Sequence, residues 1–164
     1  MTAIVLWPVL SRLLWPPPPP PPMVNLNDLR ARKVSWPIKG RVRKDGGTKM
    51  DLFTKSGRPV GDFVYRSSDG YVGGIFLEKP FRHKGLEQQL LLYAMRDMKA
   101  AGAKYIWEVV TEDTQYYGRL WNFSYVPKDI CPPCTGMGYK MAIPEDIDSL
   151  KVDTTLSMYH KYSP

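Results

Sequence analysis

The chain has 164 residues, a net charge of +7, and 43% hydrophobic against 24% charged residues, the make-up of one globular domain with a sizeable core and little room for a second. That balance excludes a wholly disordered chain, a collagen-like one and a multi-span membrane protein. Two cysteines are too few for a disulfide scaffold and fit a reducing, cytoplasmic setting.

The positive charge is local. Residues 23–66 hold eleven Lys/Arg against four Asp/Glu, whereas residues 67–164 hold eleven against twelve. A basic stretch of this kind is either a solvated face or a surface for an anionic ligand or partner.

Residues 1–15 are mostly apolar but too short to span a bilayer, which needs about 20 residues. Pro8 and Arg12 interrupt them, and neither a leading positive charge nor a small-residue cleavage site marks a signal peptide. Pro16 to Pro22 should form a stiff polyproline II rod without amide donors. Such a rod is either an SH3- or WW-type ligand or, the reading we favour, part of a disordered extension. Residues 1–22 are therefore read as an extension and residues 23–164 as the domain.

Leu26, Leu29 and Val34 predict a short amphipathic helix over Asn25–Lys33, ended by Pro37 and Gly40. Met50–Thr54 and Val60–Arg66 alternate as strands do, with Ser56-Gly57-Arg58-Pro59 as the turn between them. Tyr71–Leu77 is nearly all apolar, the mark of a central strand. Leu86, Leu90, Ala94 and Met98 recur every four residues, so a helix is placed over Leu86–Ala101 with Gly102 as its stop. Tyr105–Val110 is a second buried-type strand, which makes strand, helix and strand a crossover unit with parallel neighbours. A helix around Thr114–Trp121 and strands at Gly138–Ile143 and Thr154–Tyr162 complete the pattern. The expectation is an α/β fold, a mixed central sheet with an antiparallel meander, a crossover helix and a C-terminal hairpin.

The loop before the long helix carries the chemistry. Arg82-His83-Lys84-Gly85 follows a buried strand and opens a helix whose first N–H groups lack partners and whose dipole is positive there. Gly85 permits close backbone approach, and Arg82 and Lys84 add charge, which is the physics of a pyrophosphate cradle. An ordinary capped turn has the same ingredients.

In its place between strand and helix, Arg82-His83-Lys84-Gly85-Leu86-Glu87 resembles the Gln/Arg-x-x-Gly-x-Gly/Ala motif of the GNAT superfamily of acyl-CoA-dependent N-acyltransferases. Phe76 to Phe81 resembles the lead-in to that motif, and Tyr116 to Phe123 the family's Phe-Tyr-x-x-Leu-Gly-Phe segment. The resemblance covers roughly residues 48–162, with a shortened N-terminal part. It implies that N–H groups of residues 83–87 hold the pyrophosphate of acetyl-CoA, with pantetheine between the strands ending at Leu77 and beginning at Tyr105. It also implies a bulge at Gly73-Gly74, and an N–H of Phe76 or Leu77 that polarises the thioester carbonyl. A deprotonated amine, on a small molecule or a protein, would attack directly, with Tyr117 protonating the departing thiolate. Glu78 is the first choice for general base, with Asp69 and Glu108 as alternatives. Glu87 stands where Gly or Ala is usual: pointing at the phosphates it repels them, and pointing outward it favours the helix. Homodimers are common among proteins of this kind.

Cys131-Pro132-Pro133-Cys134 supplies half a zinc site, but only His83 and His160 remain to complete one, so no metal is expected and a plain surface loop is the better reading. Trp107 and Trp121 read as core. The alternative to an enzyme is a GNAT-like binding protein that uses the basic segment Arg41–Arg58 for an anionic partner. Nucleic acid is one such partner, although no recognition motif or interleaved aromatic residues support it.

Overall fold

The computed structural model describes residues 22–36, 47–109, 121–127 and 138–154. Alternation sets the first strands. β2 (Gly47–Phe53), β3 (Pro59–Arg66) and β4 (Tyr71–Leu77) form an antiparallel meander, and β1 (Arg30–Trp36) adds to its outer edge. Helix α1 (Leu86–Ala100) then crosses over to β5 (Tyr105–Val109), which lies parallel to β4. β6 (Ser124–Val126) and β7 (Gly138–Ala142) pair antiparallel, giving the sheet order β1-β2-β3-β4-β5-β7-β6.

One face of this sheet is buried under α1. Met50, Leu52, Phe63 and Tyr65 project onto Leu86, Leu90, Leu91, Met95 and Met98, all buried. Each such side chain contributes about 1.5–3 kcal/mol when removed from water. Polar groups pin the helix in place: the Tyr65 hydroxyl donates to Asp97 Oδ2 at 2.5 Å, and Lys33 Nζ lies 3.2 Å from the same oxygen. Burial, and then the Asp97 carboxylate, push the Tyr65 hydroxyl pKa well above its ordinary value.

The opposite face carries charge and exposed rings. Arg32 pairs with Asp51 at 2.8 Å, Lys49 with Asp51 at 3.1 Å, and Lys49 reaches Asp62 at 3.8 Å. Hydrogen bonds from Arg32 and then Lys49 hold the Asp51 carboxyl below the usual range.

Several expectations need correction. Asn25–Lys33 is not a helix: one 3-10 turn, Leu26–Asp28, is capped by the Asn25 side chain, and the chain then turns extended into β1. A nine-residue helix is marginal in water, and pairing seven residues with β2 satisfies the backbone instead. Trp107 is half-buried, its ring facing Lys140 Nζ at 4.8 Å from the centroid, so it is a surface partner of a cation and not core. Trp121 is buried, as expected. β6 was not anticipated. The remainder of the helix expected at Thr114–Trp121, the strand expected beyond Thr154, the Cys131–Cys134 loop and most of residues 1–22 lie outside the described residues. Among the described residues no helix is long and apolar enough to cross a membrane.

Candidate functional site

Among the described residues the two parallel strands share two rungs, Tyr71↔Trp107 and Val72↔Glu108; Gly73 and Val109, the next positions, are not paired with each other, and β4 runs on to Leu77. Gly70 fixes the joined end. Its carbonyl accepts the Trp107 N–H at 2.8 Å, and its positive φ of 75° and close approach to the Tyr105 carbonyl leave no space for a Cβ. Gly73 starts the separation. Tyr65 pairs with Val72 and Val64 with Gly74, so Gly73 is an extra residue, and such a bulge bends its strand. The bulge therefore falls in the expected Gly73-Gly74 pair.

Beyond the bulge, β4 keeps β3 on one side. The Glu78 N–H donates to the Val60 carbonyl at 2.8 Å. Because successive residues of a strand direct their backbone groups to opposite sides, the Leu77 N–H and C=O face away from β3. The Leu77 carbonyl accepts Arg82 Nε at 2.6 Å, in keeping with that alternation. Of the two candidate donors, then, Leu77 and not Phe76 has its N–H on the side of the split. Phe76 instead projects its ring from the face opposite α1, 63% exposed.

A 3-10 turn, Lys79–Phe81, follows β4, and the loop then bends through two left-handed residues, His83 (φ 57°) and Gly85 (φ 76°). Gly85 is the N-cap of α1. The Glu87 carboxylate turns back over this end: its Oε1 accepts the His83 N–H at 2.9 Å. An acid of the first helical turn thus takes a backbone donor of the loop, and its charge suits the positive end of the dipole. Arg82 and His83 are exposed, Lys84 and Glu87 half-buried, Gly85 and Leu86 buried. Leu86 sends its side chain into the core, so only its backbone belongs to the loop.

Two glutamines that the sequence did not mark hold the loop from behind. Gln88, 2% exposed, donates Nε2 to the Asp153 carbonyl at 2.9 Å and accepts the Asp153 N–H at 2.8 Å. Gln89 accepts the Leu26 N–H at 2.8 Å and donates to the carbonyls of Val24 at 2.6 Å and Gly85 at 3.2 Å. The Val24 N–H in turn reaches the Lys84 carbonyl at 3.0 Å. Segments from both ends of the described chain therefore meet at the start of α1. Their only sequence signal is a pair of amides set between Leu86 and Leu90.

No protein-family model matches the sequence, and no curated protein matches it. Solved structures do resemble the fold. An assigned acyl-CoA N-acyltransferase from Klebsiella pneumoniae superposes with a TM-score of 0.53 at 8% identity, covering 71% of this chain and 98% of that one. The N-acetylglutamate synthase of Neisseria gonorrhoeae, complexed with coenzyme A and N-acetyl-glutamate, gives a TM-score of 0.52 at 10% identity. It covers 71% of this chain but only 35% of the synthase, so this chain spans about a third of that protein. The chain has the GNAT fold. At these identities the likeness is one of fold.

Within the GNAT fold the sequence-predicted residues fall into three groups. Phe76, Leu77, Arg82, His83, Lys84, Gly85, Leu86 and Glu87 are gathered where the end of β4 meets the start of α1. Glu78 is exposed and directly follows β4; Asp69 lies at the far end of that strand, bonded to Arg66 Nε at 2.8 Å. Glu108 is 1% exposed, on the α1 side of the last β4–β5 rung. Tyr117 lies outside the described residues.

Proposed function

We propose that residues 23–164 form an N-acyltransferase that moves the acetyl group of acetyl-CoA to a primary amine by direct attack, in a reducing, cytoplasmic setting. One observation carries this reading: the β4–β5 split opens beside a basic, left-handed loop at the N-terminus of α1. Among the described residues no strand pairs with β4 on that side from Gly73 on, where an extended ligand would lie as an added strand does, and the Leu77 carbonyl is held by Arg82 Nε. The loop supplies Arg82, Lys84 and the N–H groups of residues 83–87 for a pyrophosphate. Glu87 must leave the His83 N–H for that donor to be used.

The chemistry then needs few groups. The amine nitrogen forms a bond to the acetyl carbonyl carbon, and the carbon–sulfur bond breaks. The Leu77 N–H polarises the carbonyl oxygen as negative charge develops on it. Glu78 takes the proton that the amine loses, and Tyr117 gives its proton to the departing thiolate. Holding both reactants in one cleft supplies much of the acceleration.

The test is release of free thiol from acetyl-CoA by the full chain with a panel of primary amines. Amine-dependent release, reduced about 100-fold or more in Tyr117→Phe, supports the reading. A folded protein that binds acetyl-CoA yet releases no thiol with any amine contradicts it. That second outcome favours the other reading, a GNAT-fold binding protein without catalysis that holds an anionic partner through Arg41–Arg58. The Glu87 carboxylate on the His83 N–H is the observation on its side. Its mark is partner binding that collapses between low and moderate salt.

A further inference from the structure

We propose that Asp62 and Phe76 form a subsite for a cationic amine on the sheet face opposite α1, beside the split. This rests on the acyltransferase reading and gives its acceptor a chemical class.

The two residues are direct cross-strand partners, Asp62 of β3 and Phe76 of β4. Side chains directly opposite each other in an antiparallel pair have Cβ atoms roughly 4.5–5.5 Å apart on one face. Phe76 is 63% exposed, an unusual position for a large ring in a middle strand of the sheet. Its ring folds back over Gly74: a Cβ added there would stand 2.7 Å from Phe76 Cε2. The glycine thus makes room for the ring beside bare backbone, and the ring stays largely exposed. Among the described residues this stretch of β4 also has no rung with β5.

Charge settles what that face suits. Across the sheet run Arg32, Asp51, Lys49 and Asp62, with Lys49 Nζ 3.1 Å from Asp51 but 3.8 Å from Asp62. Among the described residues Asp51 therefore has two close cations, Arg32 at 2.8 Å being the other, while Asp62, at the end of the row, has Lys49 at 3.8 Å. Its side chain is 34% exposed. A carboxylate so placed beside an exposed aromatic ring attracts an ammonium twice over, by ion pairing and by the ring quadrupole. The same carboxylate repels an acceptor that carries its own carboxylate. The structure thus assigns this face to amines with a positive charge and no acid group, such as diamines, and against amino acids.

The test is calorimetric or NMR titration of the full chain, without acetyl-CoA, with 1,4-diaminobutane and with 4-aminobutyrate, which replaces one ammonium by a carboxylate. The diamine should bind at least about tenfold more tightly than 4-aminobutyrate. Asp62→Asn and Phe76→Ala should each weaken the diamine by roughly five- to tenfold, and Phe76→Tyr should restore it. Equal binding of the two ligands, or diamine binding untouched in folded Asp62→Asn and Phe76→Ala, overturns the subsite. Because the titration omits acetyl-CoA, its outcome is independent of transfer. A chain that binds the diamine but releases no thiol from acetyl-CoA keeps the subsite and loses the acyltransferase. A chain that releases thiol but ignores the Asp62 and Phe76 variants does the reverse.

Discussion

Helix α1 is bounded by a glycine at each end, and the two glycines do different work. Gly85 and Gly102 share the left-handed conformation, with φ of 76° and 86°. Around Gly102 an added Cβ meets nothing within 4 Å, whereas at Gly85 it would stand 2.8 Å from Val152 Cγ1, 3.1 Å from Thr154 Cγ2 and 3.4 Å from Met23 Cγ. The C-terminal end is a plain stop, closed by its own backbone: the Ala101 N–H reaches Asp97 and the Ala103 N–H reaches Met98. The N-terminal end is a junction in which Glu87, Gln88 and Gln89 bond three separate stretches of chain. Identical backbone chemistry therefore serves a boundary at one end and a site at the other, and only the neighbours tell them apart.

The largest effect that sharpens this contrast is expected at the glycines themselves. Gly102→Ala should cost about 1 kcal/mol of stability through left-handed strain alone. Gly85→Ala adds displacement of Val152 and should cost about 2–4 kcal/mol in all, read by denaturant unfolding. Equal losses would break the comparison. It follows that lost ligand binding in a Gly85 variant reports a disturbed junction as readily as a blocked cradle, so Glu87 is the cleaner probe.

Next in size are the amides. Gln88→Ala removes both bonds to Asp153 from a buried position and should cost about 2 kcal/mol. Gln89→Ala should cost a similar amount. Hydrogen exchange distinguishes them: the Asp153 N–H should lose protection only in the first and the Leu26 N–H only in the second. Loss at both sites in either variant would mean that the start of α1 opens as one unit. The smallest effect on stability is expected for Glu87→Ala, about 0.5–1 kcal/mol for a lost cap, together with a gain in anion affinity.

Much of this was legible in the residues. The run Tyr71–Leu77 and the four-residue recurrence of Leu86, Leu90, Ala94 and Met98 fall on β4 and α1, because burial on one or both faces writes itself into apolar spacing. The crossover then followed from order alone. Strand β1 is not legible because Leu26, Leu29 and Val34 sit at helical spacing while the true constraint, pairing with β2, lies farther along the chain. β6 is three residues long, too short for any period to show. The direction of Glu87 was open for a different reason: spacing puts a residue on a turn, but the choice between pointing in and out is made by a bent loop that offers the His83 N–H. Gln88 and Gln89 carry no local signal because their partners come from distant parts of the chain.

Calorimetric titration of the full chain with acetyl-CoA, wild type beside Glu87→Ala, tests the central claim most directly. Saturable binding by both proteins is expected, at least about tenfold tighter in Glu87→Ala, where no carboxylate competes for the His83 N–H or repels phosphate, a gain of ~1.4 kcal/mol. No binding by either folded protein would contradict it and leave the loop as a capped turn.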